Sequence, residues 1–119
     1  MYQWKIKDMV LEFDFDDEIM MEKYESAMMK VYERCDELSK RLKSETISRK
    51  EHIRMQCEIV QECFKTLFDS KVVVCLFEGK NNLKDAIDIF GSFVDFALSS
   101  IKESNDHISA VLAKYSGKK

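Results

Sequence analysis

The sequence predicts a mainly α fold: a three-helix antiparallel bundle with an N-terminal two-stranded β-hairpin packed on it. Three observations carry this. The 119 residues include no proline and only three glycines, and so few breakers favour long helices over a many-turned β fold. Over three long stretches apolar residues recur at alternating steps of three and four, the period of an amphipathic helix. Residues 2–16 instead alternate with period two and are rich in aromatics, which marks strands. With 45% hydrophobic and 34% charged residues, the balance is that of one ordinary globular domain with a core of its own.

In the hairpin, residues 2–16, Tyr2, Trp4 and Ile6 share one face and Leu11, Phe13 and Phe15 share another. Lys7-Asp8-Met9-Val10 is the expected turn, although it lacks the Asn-Gly or Asp-Gly signal of a tight hairpin. An isolated two-stranded hairpin is marginal in water, so its aromatic face must lie on the helices. The first helix is expected over residues 17–43. Asp16 and Asp17 suit its cap, and Glu18 and Glu22 suit the positive end of its dipole. Tyr24, Met28, Val31, Cys35, Leu38 and Leu42 form its seam.

Ser48-Arg49-Lys50-Glu51 reads as a capping box, opening a second helix over residues 49–69. This is the stretch that organises the chain. Ile53, Cys57, Val60, Phe64 and Leu67 make one stripe, and Ile59, Cys63 and Phe68 add a second apolar flank. A helix apolar over more than one stripe needs neighbours on more than one side. The short link before it makes the first two helices antiparallel neighbours.

Residues 71–81 are a variable segment. Val72-Val73-Val74-Cys75-Leu76-Phe77 reads either as a short buried helix or as an extended crossing, because periodicity does not separate the two over so short a run. Glu78-Gly79-Lys80-Asn81-Asn82 is turn chemistry, with Gly79 a left-handed position. The third helix is expected over residues 82–115, starting at Asn82 and carrying Leu83, Ile87, Phe90, Val94, Ala97 and Ile101; Ile108, Leu112 and Tyr115 continue it. Gly91 marks close packing or a bend. Ser104-Asn105-Asp106, at 104–106, is a second weak point where the helix either breaks or carries on. The last residues, from Ser116, should fray.

No constellation for catalysis or metal binding stands out, so the sequence is read as non-enzymatic with no cofactor. Cys57 and Cys63 are six apart, about 240° around a helix, and cannot converge on one ion. Asp14-Phe15-Asp16-Asp17-Glu18 lacks the glycine and the twelfth-position glutamate of a calcium loop. Asp85, Asp88 and Asp95 read as a solvated face, and His52 and His107 as surface residues. There is no Gly-x-Ser-x-Gly and no phosphate-binding glycine loop. The four cysteines include no C-x-x-C pair and are expected as reduced, buried thiols. No apolar run approaches the roughly 18 residues of a membrane helix, and no signal peptide is evident, so a cytoplasmic protein without membrane contact is expected.

Charge is uneven. Lys40, Arg41, Lys43, Arg49, Lys50 and Arg54 outnumber Glu45 and Glu51 over residues 40–54, a candidate basic pole to which Lys114, Lys118 and Lys119 would add. Asp14, Asp16, Asp17, Glu18 and Glu22 form an acidic pole. The plain reading is solvated helix surface; the pointed one is head-to-tail docking, as a homo-oligomer or with an oppositely charged partner. Nucleic acid is not expected, since base-stacking aromatics are missing from the basic corner and the net charge is −3.

Leu11-Glu12-Phe13-Asp14, Glu22-Lys23-Tyr24-Glu25, Gln56-Cys57-Glu58 and Phe77-Glu78-Gly79-Lys80-Asn81-Asn82-Leu83, taken together, resemble small phage and prophage proteins encoded among virion-structural and tail-assembly genes. The likeness runs from about Tyr2 to Phe96; beyond Ser99 no motif matches. It implies a tail-assembly-chaperone-like factor in the host cytoplasm, shielding apolar segments of a phage tail or tape-measure protein. The alternative is a phage-encoded, anti-CRISPR-like inhibitor that binds a host defence protein, with the acidic pole imitating nucleic acid. The first reading calls for an exposed apolar patch. Its candidates are Met20, Met21 and Met29, with Met28, and Val72, Val73, Val74 and Phe77, because methionine adapts to varied partners.

Overall fold

A computed structural model describes residues 1–116. It is mainly helical with an N-terminal antiparallel hairpin, in the order β1 (Tyr2–Ile6), β2 (Met9–Phe13), α1 (Glu18–Ser44), α2 (Arg49–Leu67), α3 (Ser70–Phe77) and α4 (Leu83–Ser116). There are four helices, not three, because the variable segment closes into α3. The chain divides into two compact units, one of Met1–Met21 with Ser92 onward, the other Glu22–Gly91.

In the first unit the strands pair in the register Tyr2↔Phe13, Trp4↔Leu11 and Ile6↔Met9. Directly opposed residues share a face, so the aromatic sides of both strands coincide. The turn is shorter than the sequence suggested: Met9 and Val10 already pair, leaving Lys7 and Asp8 as a two-residue loop. Lys7 takes φ 54°, in the left-handed region that the twist of a tight hairpin requires. No glycine or asparagine advertised it.

The hairpin lays Trp4 and Phe13 on α4. The Trp4 and Phe93 ring centroids are 5.2 Å apart, edge to face, and those of Phe15 and Phe96 are 5.3 Å apart. The indole Nε1 donates to Ser92 Oγ at 3.0 Å, which lets Trp4 be buried without stranding a donor. Within α4 the buried row is Ala86, Ile89, Phe93, Ala97 and Ser100; of the predicted Leu83, Ile87, Phe90, Val94, Ala97 and Ile101, Ala97 lies in it, Leu83, Phe90, Val94 and Ile101 are half-buried beside it, and Ile87 is exposed. Small residues carry little weight in a hydrophobic stripe, which is why Ala86 and Ser100 do not stand out in it.

In the second unit α2 has the expected buried face: Cys57, Val60, Phe64 and Leu67, with Ile59 and Cys63 on the flank. Ser48 caps it, its hydroxyl accepting from the Glu51 N–H at 3.2 Å. Pairing runs from Ala27 and Val31 against Ile59 and Cys63 to Leu38 and Arg41 against Met55 and Glu58, so α1 and α2 are antiparallel. On the opposite flank Phe64 meets Phe77 of α3 at 5.9 Å. Of the predicted α1 seam, Leu38 is buried and Tyr24, Met28, Val31 and Cys35 are half-buried; Ala27 joins it as a buried residue, while Leu42 is exposed.

The second predicted helix stops at Leu67, two residues early, because Asp69 caps a new one: its Oδ1 accepts from the Val72 N–H at 2.9 Å. Helix α3 buries Val73, Leu76 and Phe77 and ends at Glu78 and Gly79, both at positive φ. Gln61 Nε2 donates to Asn81 Oδ1 at 2.9 Å, tying the following link to α2. Asn82 caps α4 through the Asp85 N–H at 2.9 Å.

Helix α4 does not break at 104–106. Lys102 and Asp106 brace it at 2.8 Å, and the Ser104 hydroxyl is turned sideways to Asp16 at 2.5 Å, so it does not compete for the helix's own carbonyls. Nor is Gly91 a close-packing residue, since a Cβ there would meet nothing within 4 Å. Gly91→Ala should therefore stabilise the protein by about 1 kcal/mol through helix propensity, read as a higher urea midpoint with an unchanged slope; a lower midpoint would show that the position needs glycine.

Candidate functional site

The predicted partner-binding residues separate once burial is known. Val73 and Phe77 are core residues of α3 and drop out of the candidate surface; Val72 is half-buried, and Val74 is exposed on the outer side. The reason is geometric: a short helix with three inward side chains can show only its remaining side to solvent. Met20 and Met21 are half-buried. Met29 is 58% exposed.

Met29 belongs to the one candidate surface of connected apolar side chains on α1. Tyr24, Glu25, Met28, Met29 and Tyr32 line a shallow open groove on α1. Tyr24, Met28 and Tyr32 form one ridge at i, i+4 and i+8; Glu25 and Met29 form the next. Tyr32 is 71% exposed and was not singled out by sequence, because it follows the seam residue Val31 and reads as a flank. Two aromatic rings and two thioethers side by side offer a wide apolar contact with little fixed hydrogen-bond demand.

Other depressions are poorer candidates. The space between α1 and α2 lined by Ala27, Val31, Ile59 and Cys63 holds about 220 Å³, less than the roughly 300 Å³ at which small-molecule pockets begin. The Arg34–Glu62 ion pair joins the two helices there. Lys50 and Arg54 border an open depression over Ile53.

Part of each charged pole is engaged locally. In the acidic set, Asp14 Oδ1 accepts from the Asp16 N–H, Asp17 Oδ2 caps α1 through the Met20 N–H, and Asp16 takes bonds from Tyr2 and Ser104. The Ser104 hydroxyl, then the Tyr2 hydroxyl and the charges of the N-terminus and His107, hold the Asp16 carboxyl below its ordinary value. In the basic set, Lys40, Arg41 and Arg54 pair with Asp36, Glu45 and Glu58 on their own helices. Lys118 and Lys119 lie outside the described residues. Surface pairs of this kind are ordinary solvated helix chemistry.

Among the described residues, no group of three or more His, Cys, Asp or Glu is placed to hold a metal ion, and no helix is long and apolar enough to cross a membrane. The thiols do not share one environment. Cys57 and Cys63 are buried and Cys35 is half-buried, whereas Cys75 is exposed on the outer side of α3, against the expectation of four buried thiols. Burial pushes the Cys63 thiol up to about 12 and raises Cys35 and Cys57 as well.

Two outcomes follow for solution work. In the native protein a thiolate-selective reagent at mild alkaline pH should modify Cys75 first and spare Cys57 and Cys63 until the chain unfolds; peptide mapping that found Cys63 labelled at the rate of Cys75 would contradict this placement. Asp16, depressed in the folded state, contributes stability above the ordinary carboxylate pKa of about 4, lost as pH falls through its lowered value. Acidification should loosen the first unit, reported by its sole tryptophan, and Asp16→Asn should flatten that dependence.

Residues 7–119 match a family model described as a family of unknown function, DUF6673. No curated protein matches the chain, and no solved structure does.

Proposed function

The chain belongs to the DUF6673 family, and we propose that it is a non-enzymatic protein-interaction module whose α1 groove holds an apolar helical segment of a partner. What supports this reading is the pair of parallel ridges, Tyr24–Met28–Tyr32 and Glu25–Met29. A groove between two i±4 ridges receives the matching ridge of another helix, crossing at about −50°. The methionines tolerate varied side chains in the incoming segment, and Glu25 favours a basic residue at its rim.

The resemblance to phage tail-assembly genes supplies the partner: a tail or tape-measure protein, whose long helical segments carry apolar stripes that need cover before assembly. The module then works as a tail-assembly-chaperone-like factor in the host cytoplasm. The second reading, an inhibitor of a bacterial defence protein, draws on the acidic pole. It is the weaker of the two, because Asp14, Asp16 and Asp17 are already committed to local hydrogen bonds, leaving a less ordered array of charge with which to imitate phosphates.

Co-expression with the tail and tape-measure proteins of the same gene module tests the first reading. The wild-type chain should copurify with one of them, and Met29→Glu with Tyr32→Glu should weaken that association by at least about tenfold while leaving helicity unchanged. Recovery of a host nuclease instead, lost on neutralising Glu18 and Glu22, would favour the inhibitor.

A further inference from the structure

We propose that the C-terminal arm of α4 pairs with the same arm of a second copy, as a short parallel coiled coil. Leu98, Ile101, Asn105, Ile108, Leu112 and Tyr115 are spaced 3, 4, 3, 4, 3 along one continuous helix, the a/d pattern of a coiled coil. This row is distinct from the one that packs against the hairpin, Phe93, Ala97 and Ser100. It is largely open to solvent: Leu98 is 61% exposed, Ile108 50%, Leu112 59% and Tyr115 81%, with Ile101 half-buried.

Three features select a second copy as the occupant. The first is Asn105, the one polar residue at an a position. In a parallel, in-register pair each Asn105 meets its own counterpart, and the two amides can bond across the seam. In an antiparallel pair centred on the same row Asn105 faces Ile108, and its amide is desolvated without a partner, which is costly. A single a-position asparagine is the attested device for fixing register and strand number.

Charge is the second feature. The row itself carries none, and the flanking positions are Ala97, Lys102, Ser104, Ser109 and Val111. Lys102 is already held by Asp106 at 2.8 Å. In parallel self-pairing the position opposed to Lys102 is Ala97, which is uncharged and already buried within its own copy, so no like charges meet across the seam.

Size is the third. Six seam positions per chain are far fewer than the roughly 20–30 residues a side of a standard stable complex. That suits a weak, reversible dimer better than an obligate one. The α1 groove is a different surface, so this inference and the proposed function stand or fall separately.

Sedimentation velocity of the full chain should show a monomer–dimer equilibrium with a dissociation constant of roughly tens of micromolar. Ile108→Glu with Tyr115→Glu should weaken it by at least about tenfold; both side chains are exposed, so circular dichroism and the thermal midpoint should not change. Asn105→Ile should tighten association while admitting other registers or strand numbers. In a Cys75→Ser background, Ile108→Cys should form a self-linked dimer on treatment with diamide. A monomer at every concentration, association untouched by the glutamates, or an Ile108→Cys chain that stays unlinked would each overturn the proposal.

Discussion

The second unit depends on one constraint, that α2 cannot be satisfied by a single neighbour. Phe64 and Cys57 are fully buried, and Ile59, Val60, Cys63 and Leu67 nearly so. That apolar arc is wider than the roughly 100° a surface helix presents to one core. One flank is taken by α1, joined through Arg34 and Glu62. The other is taken by α3, whose Phe77 meets Phe64. The need for cover on the second flank explains why residues 71–77 close into a helix. A short helix delivers Val73, Leu76 and Phe77 to one side while satisfying its own backbone, whereas an extended crossing would have to find partners for each peptide group.

The first unit rests on an aromatic cluster. Two strands alone do not hold in water, and here Trp4, Phe13 and Phe15 are secured by Phe93 and Phe96, with Trp4–Phe93 and Phe15–Phe96 in close ring contact across to α4. Polar ties accompany the rings: Trp4 to Ser92, and Asp16 between Tyr2 and Ser104. Each links residues about 14 or 88 apart in sequence, which is why period and propensity along the chain do not disclose them.

Much of the architecture was nevertheless legible. The period-two alternation located both strands, and the Ser48 box and Asn82 announced the starts of α2 and α4 correctly. What was not legible depended on small or polar residues. Ala86 and Ser100 line the buried row of α4 beside the expected Ala97, yet the larger Leu83, Ile87 and Val94 dominate any hydrophobic pattern. Asp69, read as the end of one helix, is the cap of the next. Lys7 adopts a left-handed turn without the residue type that usually signals it. Of the candidate surface, Met29 was visible from composition, whereas Tyr32 needed the rotation of α1 to be known. Val73 and Phe77 were withdrawn by the same kind of fact, since an apolar run does not say which of its side chains faces inward.

Exposed apolar area points to a partner more directly than the charged surface does, because part of that surface is occupied with itself. Lys40, Arg41, Arg54, Lys84 and Lys102 each sit in an i,i+4 pair, and three acids ahead of or at the start of α1 serve the backbone or neighbouring hydroxyls. Groups engaged in this way must give up existing partners before they can recognise a foreign one, and exposed pairs return little energy for doing so. Tyr32, Met29, Leu98 and Tyr115 have no such prior claim on their exposed surface: removing it from water is favourable wherever a complementary face is available, at about 25 cal/mol per Å². Open thioethers and rings of this kind are what the proposed interaction role draws on: they offer shape and apolar contact to another chain without first surrendering a partner of their own.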